Sequence, residues 1–247
     1  MNNNFKRWKD WKSKDSLLIP NVASWGLNKS RKIQTVSGIA ALLLTLVIHF
    51  LGVSPGFAGN VSASAYDFGV GMGIASWHAS AQHTNDAVSA LQYSLRAAEQ
   101  LRANRVPLNT GSLQGLIGNP PPGLGLHNNI ESLRQNFADQ IRNTSGNHAN
   151  VYLLGLHIGL AEGHASLRRT WASGLGYAHR ELKNARALII QNLNNSQNGV
   201  NLGFNLSPLD EALTFTQNLN YAQGDAYKKI VTLRNSYADF IRRSSLR

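Results

Sequence analysis

Two histidines and two arginines occupy matching places in segments of this chain that resemble each other. His78 and His164 both precede an Ala-Ser pair, and Arg134 and Arg234 both follow an Ile-x-x-Leu sequence. Imidazoles that face each other can bind a metal ion or respond to pH, because histidine changes its charge at about pH 6.5. Guanidinium groups bind carboxylates and phosphates through paired hydrogen bonds. We therefore take these four residues as candidate ligand-binding residues.

The sequence lacks the motifs that would specify a catalytic or metal centre around these residues. It contains no cysteine, which excludes disulfides, thiolate ligands and cysteine nucleophiles. It also contains no His-Glu-x-x-His run, no Glu-x-x-His pair, no Gly-x-Ser-x-Gly elbow, and neither a Walker loop nor a Rossmann fingerprint. We therefore expect a protein that is not an enzyme, with no catalytic residue and no cofactor, and the sequence names no metal.

The matching segments are part of an internal repeat. Residues 66–80 and 152–166 share seven of fifteen residues at an offset of 86 positions. Residues 130–142 and 230–242 share seven of thirteen at an offset of 100 positions. The two blocks occur in the same order in both halves, as expected for one helical unit written twice. We predict a first repeat over 66–148 and a second over 151–247, with 143–150 as the linker and 66–247 as one globular domain.

The repeated blocks have the apolar spacing of helices. Residues 130–142 carry apolar side chains at intervals of three and four, which is one stripe on a helix, and so do residues 230–242. The Gly- and Pro-rich segment 107–127 predicts a loop. Ser207-Pro208, followed by two acidic residues, predicts a further helix over 208–222. The fold class is therefore all-α: duplicated helical hairpins forming a pseudo-twofold bundle of four helices or slightly more.

Four glycines, two in residues 66–80 and two in the matching residues 152–166, predict where the two halves meet. Gly69 and Gly73 are one helical turn apart, and Gly155 and Gly159 repeat that spacing. A glycine inside a helix costs about 0.5–1 kcal/mol relative to alanine, so four of them suggest that another backbone or a ligand approaches closely. We predict that the two blocks cross at these glycines, which would bring His78 and His164 near the axis.

The first 65 residues have the organisation of an export signal or a membrane anchor. Residues 1–35 hold eight Lys and Arg residues, and residues 36–53 hold no charged residue. Small residues follow, and Ala58 or Ala65 could end a signal that is removed. An uncleaved anchor is the alternative, because eighteen helical residues span about 27 Å. Either reading assigns 1–35 to the cytoplasm, 36–58 to the apolar segment, and the body to the outside.

Charge and length limit the class of function. More than half of the net charge of +11 lies in the leader, so the body is only mildly basic and shows no nucleic-acid-binding patch. We expect an exported helical protein, periplasmic or extracellular, that binds an unidentified protein or small ligand. Two alternatives remain: a metal- or pH-responsive site at the paired histidines, catalytic or not, and a structural envelope-associated protein. Residues 36–53 would hold the protein in the membrane if they are not removed.

Overall fold

The described part of the chain consists of helices joined by short connections. The computed structural model describes residues 61–144, 146–166, 171–195, 202–217 and 223–244. Over these ranges there are eight α-helices: α1 Val61–Ser80, α2 Thr84–Ala103, α3 Gly111–Gly118, α4 Leu124–Thr144, α5 Gly146–Ser166, α6 Trp171–Leu188, α7 Ser207–Gln217 and α8 Gln223–Ser244. A π-helical turn, Ile189–Leu193, continues α6. The prediction of an all-α protein is confirmed for these ranges, which contain no strand.

Helices α1 and α5 form the centre of the fold. Both are apolar around their whole circumference, as is typical of a helix that is buried on every side. Helices α2, α4 and α8 pack against α1, while α4, α6 and α8 pack against α5. The outer helices are amphipathic and turn their apolar stripes inward. The predicted stripe of α4, for example, has Ile130, Phe137 and Ile141 fully buried.

The two central helices approach each other so closely that their backbones touch. A Cβ placed on Gly69 would lie 2.0 Å from the carbonyl oxygen of Tyr152, and one on Gly155 would lie 2.2 Å from that of Tyr66. A Cβ on Gly73 would lie 2.4 Å from the oxygen of Leu156. A Cβ on Gly159 would lie 2.2 Å from the carbonyl oxygen of Val70. At all four glycines predicted to lie at a helix crossing, the backbone of the other central helix therefore leaves no room for a side chain.

The tyrosines at the start of the two repeated blocks tie the central helices to outer helices of the opposite half. The hydroxyl of Tyr66 donates to the carbonyl oxygen of Arg234, at 3.1 Å. The hydroxyl of Tyr152 donates to the carbonyl oxygen of Arg134, at 3.2 Å. Burial raises the pKa of both phenols above its ordinary value, so both stay protonated donors. These hydrogen bonds fix the positions of α8 along α1 and of α4 along α5.

The connection between α2 and α4 differs from the sequence prediction. Residues 107–127 were predicted to be a loop, yet they contain α3 and the first residues of α4. Leu113 and Leu116 of α3 are buried in the core. Burying two leucines outweighs the weak helix propensity of the glycines, because each buried leucine contributes about 1.5–3 kcal/mol. The loop prediction for these positions is wrong for that reason.

The predicted linker is affected for a similar reason, whereas the predicted end of the helix over 208–222 is not tested. Helix α5 begins at Gly146, inside the predicted linker 143–150, because Ala149 and Val151 are buried and extend the packed surface of the central helix. Helix α7 ends at Gln217, within the helix predicted over 208–222, and residues 218–222 lie outside the described residues. Its first turn is supported by Asn205, whose side-chain oxygen accepts from the backbone amide of Ser207, at 3.0 Å.

The early start of α5 leads to a pH-dependent stability. His148 lies in the first turns of α5, and its Nδ1 is buried without a hydrogen-bond partner. Burial lowers the pKa of His148 below its ordinary value. At mildly acidic pH, His148 is therefore protonated to a greater extent in the unfolded chain than in the folded chain. The stability from this group is present above about pH 6.5 and is lost as pH falls below it.

We therefore expect the melting temperature to fall less in a His148→Gln variant than in the native chain when the pH is lowered from about 7.5 to 5.5. An Asn147→Ser variant, changed at the exposed neighbouring position, should keep the native pH dependence. Thermal unfolding followed by circular dichroism over this pH range measures the difference. Parallel pH profiles for His148→Gln and the native chain would contradict the assignment.

The leader lies outside the described residues, so the signal and anchor interpretations of residues 1–58 stay predictions. Within the described ranges, no helix has both the length and the apolar character needed to cross a membrane. Candidate cleavage position Ala65 is part of α1 and is fully buried.

Candidate functional site

Two cavities open beside the central helices, on surfaces that the glycine crossing leaves uncovered. The first cavity, of about 640 Å³, lies between α1, α2 and α8. The second cavity, of about 470 Å³, lies between α1, α4, α5 and α6. Both volumes fall within the range of about 300–1,000 Å³ that is usual for small-molecule sites in proteins.

The four candidate ligand-binding residues all line these cavities, but in a combination that the sequence did not suggest. His78 and Arg234 line the first cavity, whereas His164 and Arg134 line the second. Of these four residues, the histidine and the arginine that share a cavity come from opposite halves of the chain. The two histidines are not brought into one cavity. Trp77 lies beside both, with ring centroids 4.8 Å from His78 and 6.4 Å from His164.

Arg234 is held by a carboxylate on a central helix. Its Nη1 donates to both carboxylate oxygens of Glu162, at 2.8 Å each. Glu162 is only 7% exposed, and burial raises the pKa of its carboxyl group although Arg234 opposes the shift. The pair therefore fixes the position of the guanidinium, and it leaves Glu162 dependent on Arg234 to stay ionised.

Arg134 is held by a carboxylate on its own helix. Its Nη1 donates to Glu131 and, at 3.2 Å, to the hydroxyl oxygen of Ser76. Ser76 donates in turn to Glu131. The Nε of Arg134 is buried and has no hydrogen-bond partner. Because this Nε is buried, it is not open to the second cavity, and the contacts of Nη1 hold Arg134 in the cavity wall.

The two halves supply these carboxylates from different helices. Glu162 of α5 corresponds by the repeat offset to Ser76 of α1, and Glu131 of α4 corresponds to Val231 of α8. Each arginine consequently has one carboxylate partner, contributed by the central helix in one half and by the outer helix in the other. An arginine without such a partner would be costly beside a largely apolar core.

The second cavity also contains two further polar groups. Nδ1 of His157 lies 2.8 Å from Oε2 of Glu181, which is 7% exposed. Burial would raise the pKa of Glu181, but the hydrogen bond and charge of His157, helped by Arg180, hold it below its ordinary value. Glu181 therefore remains an ionised acceptor at neutral pH.

An aromatic wall completes the second cavity. The rings of His164 and Tyr177 are stacked, with centroids 5.2 Å apart, and the guanidinium of Arg180 lies 5.2 Å from the Tyr177 ring. With Arg134 and Glu181, this wall offers a flat apolar surface next to groups of both charges. Such a surface suits a small polar molecule with an apolar face.

The first cavity has a different character. Arg242 lies 3.1 Å from Asp67 and 3.3 Å from Asp239, so its charge is already matched. Burial raises the pKa of Tyr93 to about 12, and the charge and hydrogen bond of Asp67 act in the same direction. Because acidic groups hold its arginines, this cavity carries little net positive charge. It is better suited to a neutral or cationic group than to an anion.

Sequence reasoning missed several residues of the two cavities. The missed residues are Trp77, Asp86, Glu131, Tyr177 and Glu181. A signal existed for Glu131, which stands three residues before Arg134 and so shares its helix face. No signal existed for Asp86, Tyr177 and Glu181, because their cavity positions depend on how α2 and α6 pack against the centre. Trp77 is adjacent to His78 in the repeated block, but the repeat does not mark it, because Gly163 is the matching residue.

The geometry defines an all-α protein with two solvent-accessible cavities beside a close helix crossing. Comparison with protein-family models, curated proteins and solved structures finds no match for this chain.

Proposed function

We propose that this chain is an exported helical binding protein that takes up a small polar molecule in a cavity beside its central helices. The observation that carries the proposal is the lining of the two cavities, each of which brings a histidine and an arginine of the repeated blocks together from opposite halves of the chain. Ion pairs and buried contacts hold these side chains in place before any ligand arrives. Groups that are already ordered lose less entropy on binding, which favours affinity.

We further propose that the chain is duplicated and that its two halves form a pseudo-twofold helical bundle. Reciprocal contacts support this arrangement. Gly69 meets the backbone of Tyr152 and Leu156, and the matching Gly155 meets that of Tyr66 and Val70. The tyrosine hydroxyl bonds to the backbones of Arg234 and Arg134 follow the same exchange. Two unrelated helices have no physical reason to repeat contacts at offsets of 86 and 100 positions.

The duplication accounts for two cavities with related walls. Positions 71, 74 and 78 of the first cavity correspond to 157, 160 and 164 of the second. Gly71 has become His157 in the second half, so the two walls differ in chemistry. We propose that the second cavity is the principal ligand site, because its stacked His164 and Tyr177 rings, with Arg134 and Glu181 beside them, offer contacts that the first cavity lacks.

Export is part of the proposal and rests on the order of the leader. The basic segment 1–35 precedes the uncharged run 36–53, which favours translocation of everything that follows. Cleavage after Ala58 would leave α1 whole. Cleavage after Ala65 would remove the buried first turn of a central helix, so Ala58 is the position that the packing favours. An uncleaved anchor at 36–53 would leave the body outside in the same way.

A metal- or pH-responsive site shared by His78 and His164 receives no support from their positions, because the two rings line different cavities. A structural envelope-associated protein without a small ligand remains the contrasting hypothesis. The two remaining hypotheses, ligand binding and a structural role, differ in what the purified protein carries.

Native mass spectrometry of the protein recovered from outside the cytoplasmic membrane tests the proposal. We expect a chain that begins near Gly59, carrying one additional small-molecule mass that is lost on denaturation. An Asn184→Trp variant, which fills the second cavity at an exposed position, should lack the additional mass. A Ser89→Trp variant, which fills the first cavity, and Ser112→Trp, exposed on α3, should keep it.

Retention in the cytoplasm would contradict export. A native mass equal to that of the bare chain, with no solute binding when small carboxylates and amines are added, would favour the structural alternative. Loss of the additional mass in Ser89→Trp rather than Asn184→Trp would move the ligand site to the first cavity.

A further inference from the structure

Three side chains with metal-binding groups converge where α1 turns into α2. His78 lies in the last turn of α1, His83 immediately precedes α2, and Asp86 lies in its first turn. One ligand atom from each of the three lies within 4.8 Å of the others. Over the described residues no other group of histidines and carboxylates meets this condition. The corner also borders the first cavity, which His78 and Asp86 both line.

Backbone hydrogen bonds hold this corner in a fixed shape. The amide of His83 donates to the carbonyl oxygen of His78 at 2.8 Å, and the amide of Gln82 donates to that of Ala79 at 3.0 Å. Together they form the Schellman pattern that ends many helices, with Gln82 in the left-handed region at φ 60°. The carbonyl oxygen of His83 then accepts from Ala87, in the first turn of α2, at 3.0 Å. The Cα atoms of the three residues are thus held by backbone contacts that do not depend on a ligand.

His78 has a ring nitrogen that the described residues do not satisfy. Its Nδ1 is buried and has no hydrogen-bond partner, and the nearest carboxylate oxygen, on Asp86, is 3.8 Å away. A buried polar atom without a partner is destabilising unless it has another role. Asp86 alone would need no such explanation, because acidic residues are favourable in the first turn of a helix. The preference for acidic residues at a helix start does not explain why the imidazoles of His78 and His83 both lie close to this carboxylate.

We infer that His78, His83 and Asp86 bind one divalent transition-metal ion at the mouth of the first cavity. Two imidazoles and a carboxylate are ligands that Zn²⁺ and its neighbours prefer, and three protein ligands leave a further position for water or a solute. Bonds of about 2.0–2.1 Å in a tetrahedral site place ligand atoms about 3.3 Å apart. Rotation of the exposed Asp86 side chain and of His83 can close the remaining distance. This site is independent of the ligand proposed for the second cavity.

The second half of the chain provides an internal control. At the repeat offset, His164 matches His78, but the positions that match His83 and Asp86 are occupied by Arg169 and Ala172. Neither arginine nor alanine is a metal ligand. We therefore expect one ion to bind to each chain, and we expect His164 not to be one of its ligands.

Isothermal titration of the full-length protein with Zn²⁺, after removal of metals with a chelator, tests the inference. We expect one site per chain with micromolar or tighter affinity. The Asp86→Asn and His83→Gln variants should each weaken binding at least tenfold, and circular dichroism should show that both keep their helices. These two variants are preferred to a change at His78, because the Nδ1 of His78 is buried and Asp86 is exposed.

A His164→Ala variant should bind Zn²⁺ like the native chain. Cobalt(II) titration should give visible absorption bands in the native protein that Asp86→Asn weakens. Absence of a stoichiometric site, or equal affinity in the native, His83→Gln and Asp86→Asn proteins, would overturn the inference. Titrations of organic solutes are run in chelator, so failure of the proposed solute binding and failure of the metal site are separate results.

Discussion

Replacing Gly155 with alanine will destabilise the folded protein by about 3 kcal/mol, although the same change usually stabilises a helix. The added Cβ would lie 2.2 Å from the carbonyl oxygen of Tyr66 and 3.0 Å from the amide nitrogen of Val70. Both atoms belong to the backbone of α1, so no side-chain rotation can relieve the contact. The two central helices would have to separate, which opens the core between them. Urea unfolding followed by circular dichroism measures the loss.

The matched control is Gly176→Ala in α6. Gly176 is also inside a helix, but a Cβ added there meets nothing within 4 Å. The alanine should therefore stabilise the protein by about 0.5–1 kcal/mol through helix propensity alone. Similar free energies of unfolding for Gly155→Ala and Gly176→Ala would mean that the central helices do not meet at this glycine.

Replacing Glu162 with leucine will destabilise the protein by about 2–3 kcal/mol, because it leaves Arg234 without its carboxylate partner. This loss is smaller than the roughly 3–5 kcal/mol expected for a fully buried pair, since the Arg234 side chain is 28% exposed and retains some water. Burial raises the pKa of Glu162, so its charge is itself costly. The double variant Glu162→Leu/Arg234→Met should therefore be more stable than Glu162→Leu alone. A double-mutant cycle by chemical denaturation measures this coupling.

The exposed pair of Asp139 and Arg142 is the control for this cycle. Both side chains are about half exposed, and they stand three residues apart on α4. An Asp139→Asn change should cost less than about 0.5 kcal/mol. Two results would show that Glu162 and Arg234 do not form a buried pair. One is a loss of unfolding free energy in Glu162→Leu as small as that in Asp139→Asn. The other is a double variant that is less stable than Glu162→Leu.

The sequence could indicate the centre of the fold because glycine has an unusual cost there. A glycine inside a helix is unfavourable unless a close contact requires it, so the sequence alone indicates a close approach at Gly69, Gly73, Gly155 and Gly159. The apolar stripe of α4 could be predicted for a similar reason, since its period is a local property of the sequence. The all-helical class follows from such local patterns.

The parts that escaped prediction depend on contacts between distant segments. Helix α3 contains three glycines and no charged residue, and only the burial of Leu113 and Leu116 makes it helical. The pairing of His78 with Arg234, rather than with His164, follows from which outer helix lies beside which central one. Asp86 could not be assigned to a site, because its approach to His78 depends on the turn at Gln82. Local sequence carries none of this information.

Nuclear Overhauser contacts between the central helices test the reciprocal crossing most directly. At Gly155, the hydrogen that takes the place of a side chain faces the amide of Val70, and at Gly69 it faces the amide of Leu156. We expect strong cross peaks for both pairs, Gly155 Hα with Val70 HN and Gly69 Hα with Leu156 HN. Absence of both, in spectra where the sequential helical contacts of α1 and α5 are present, would contradict the account.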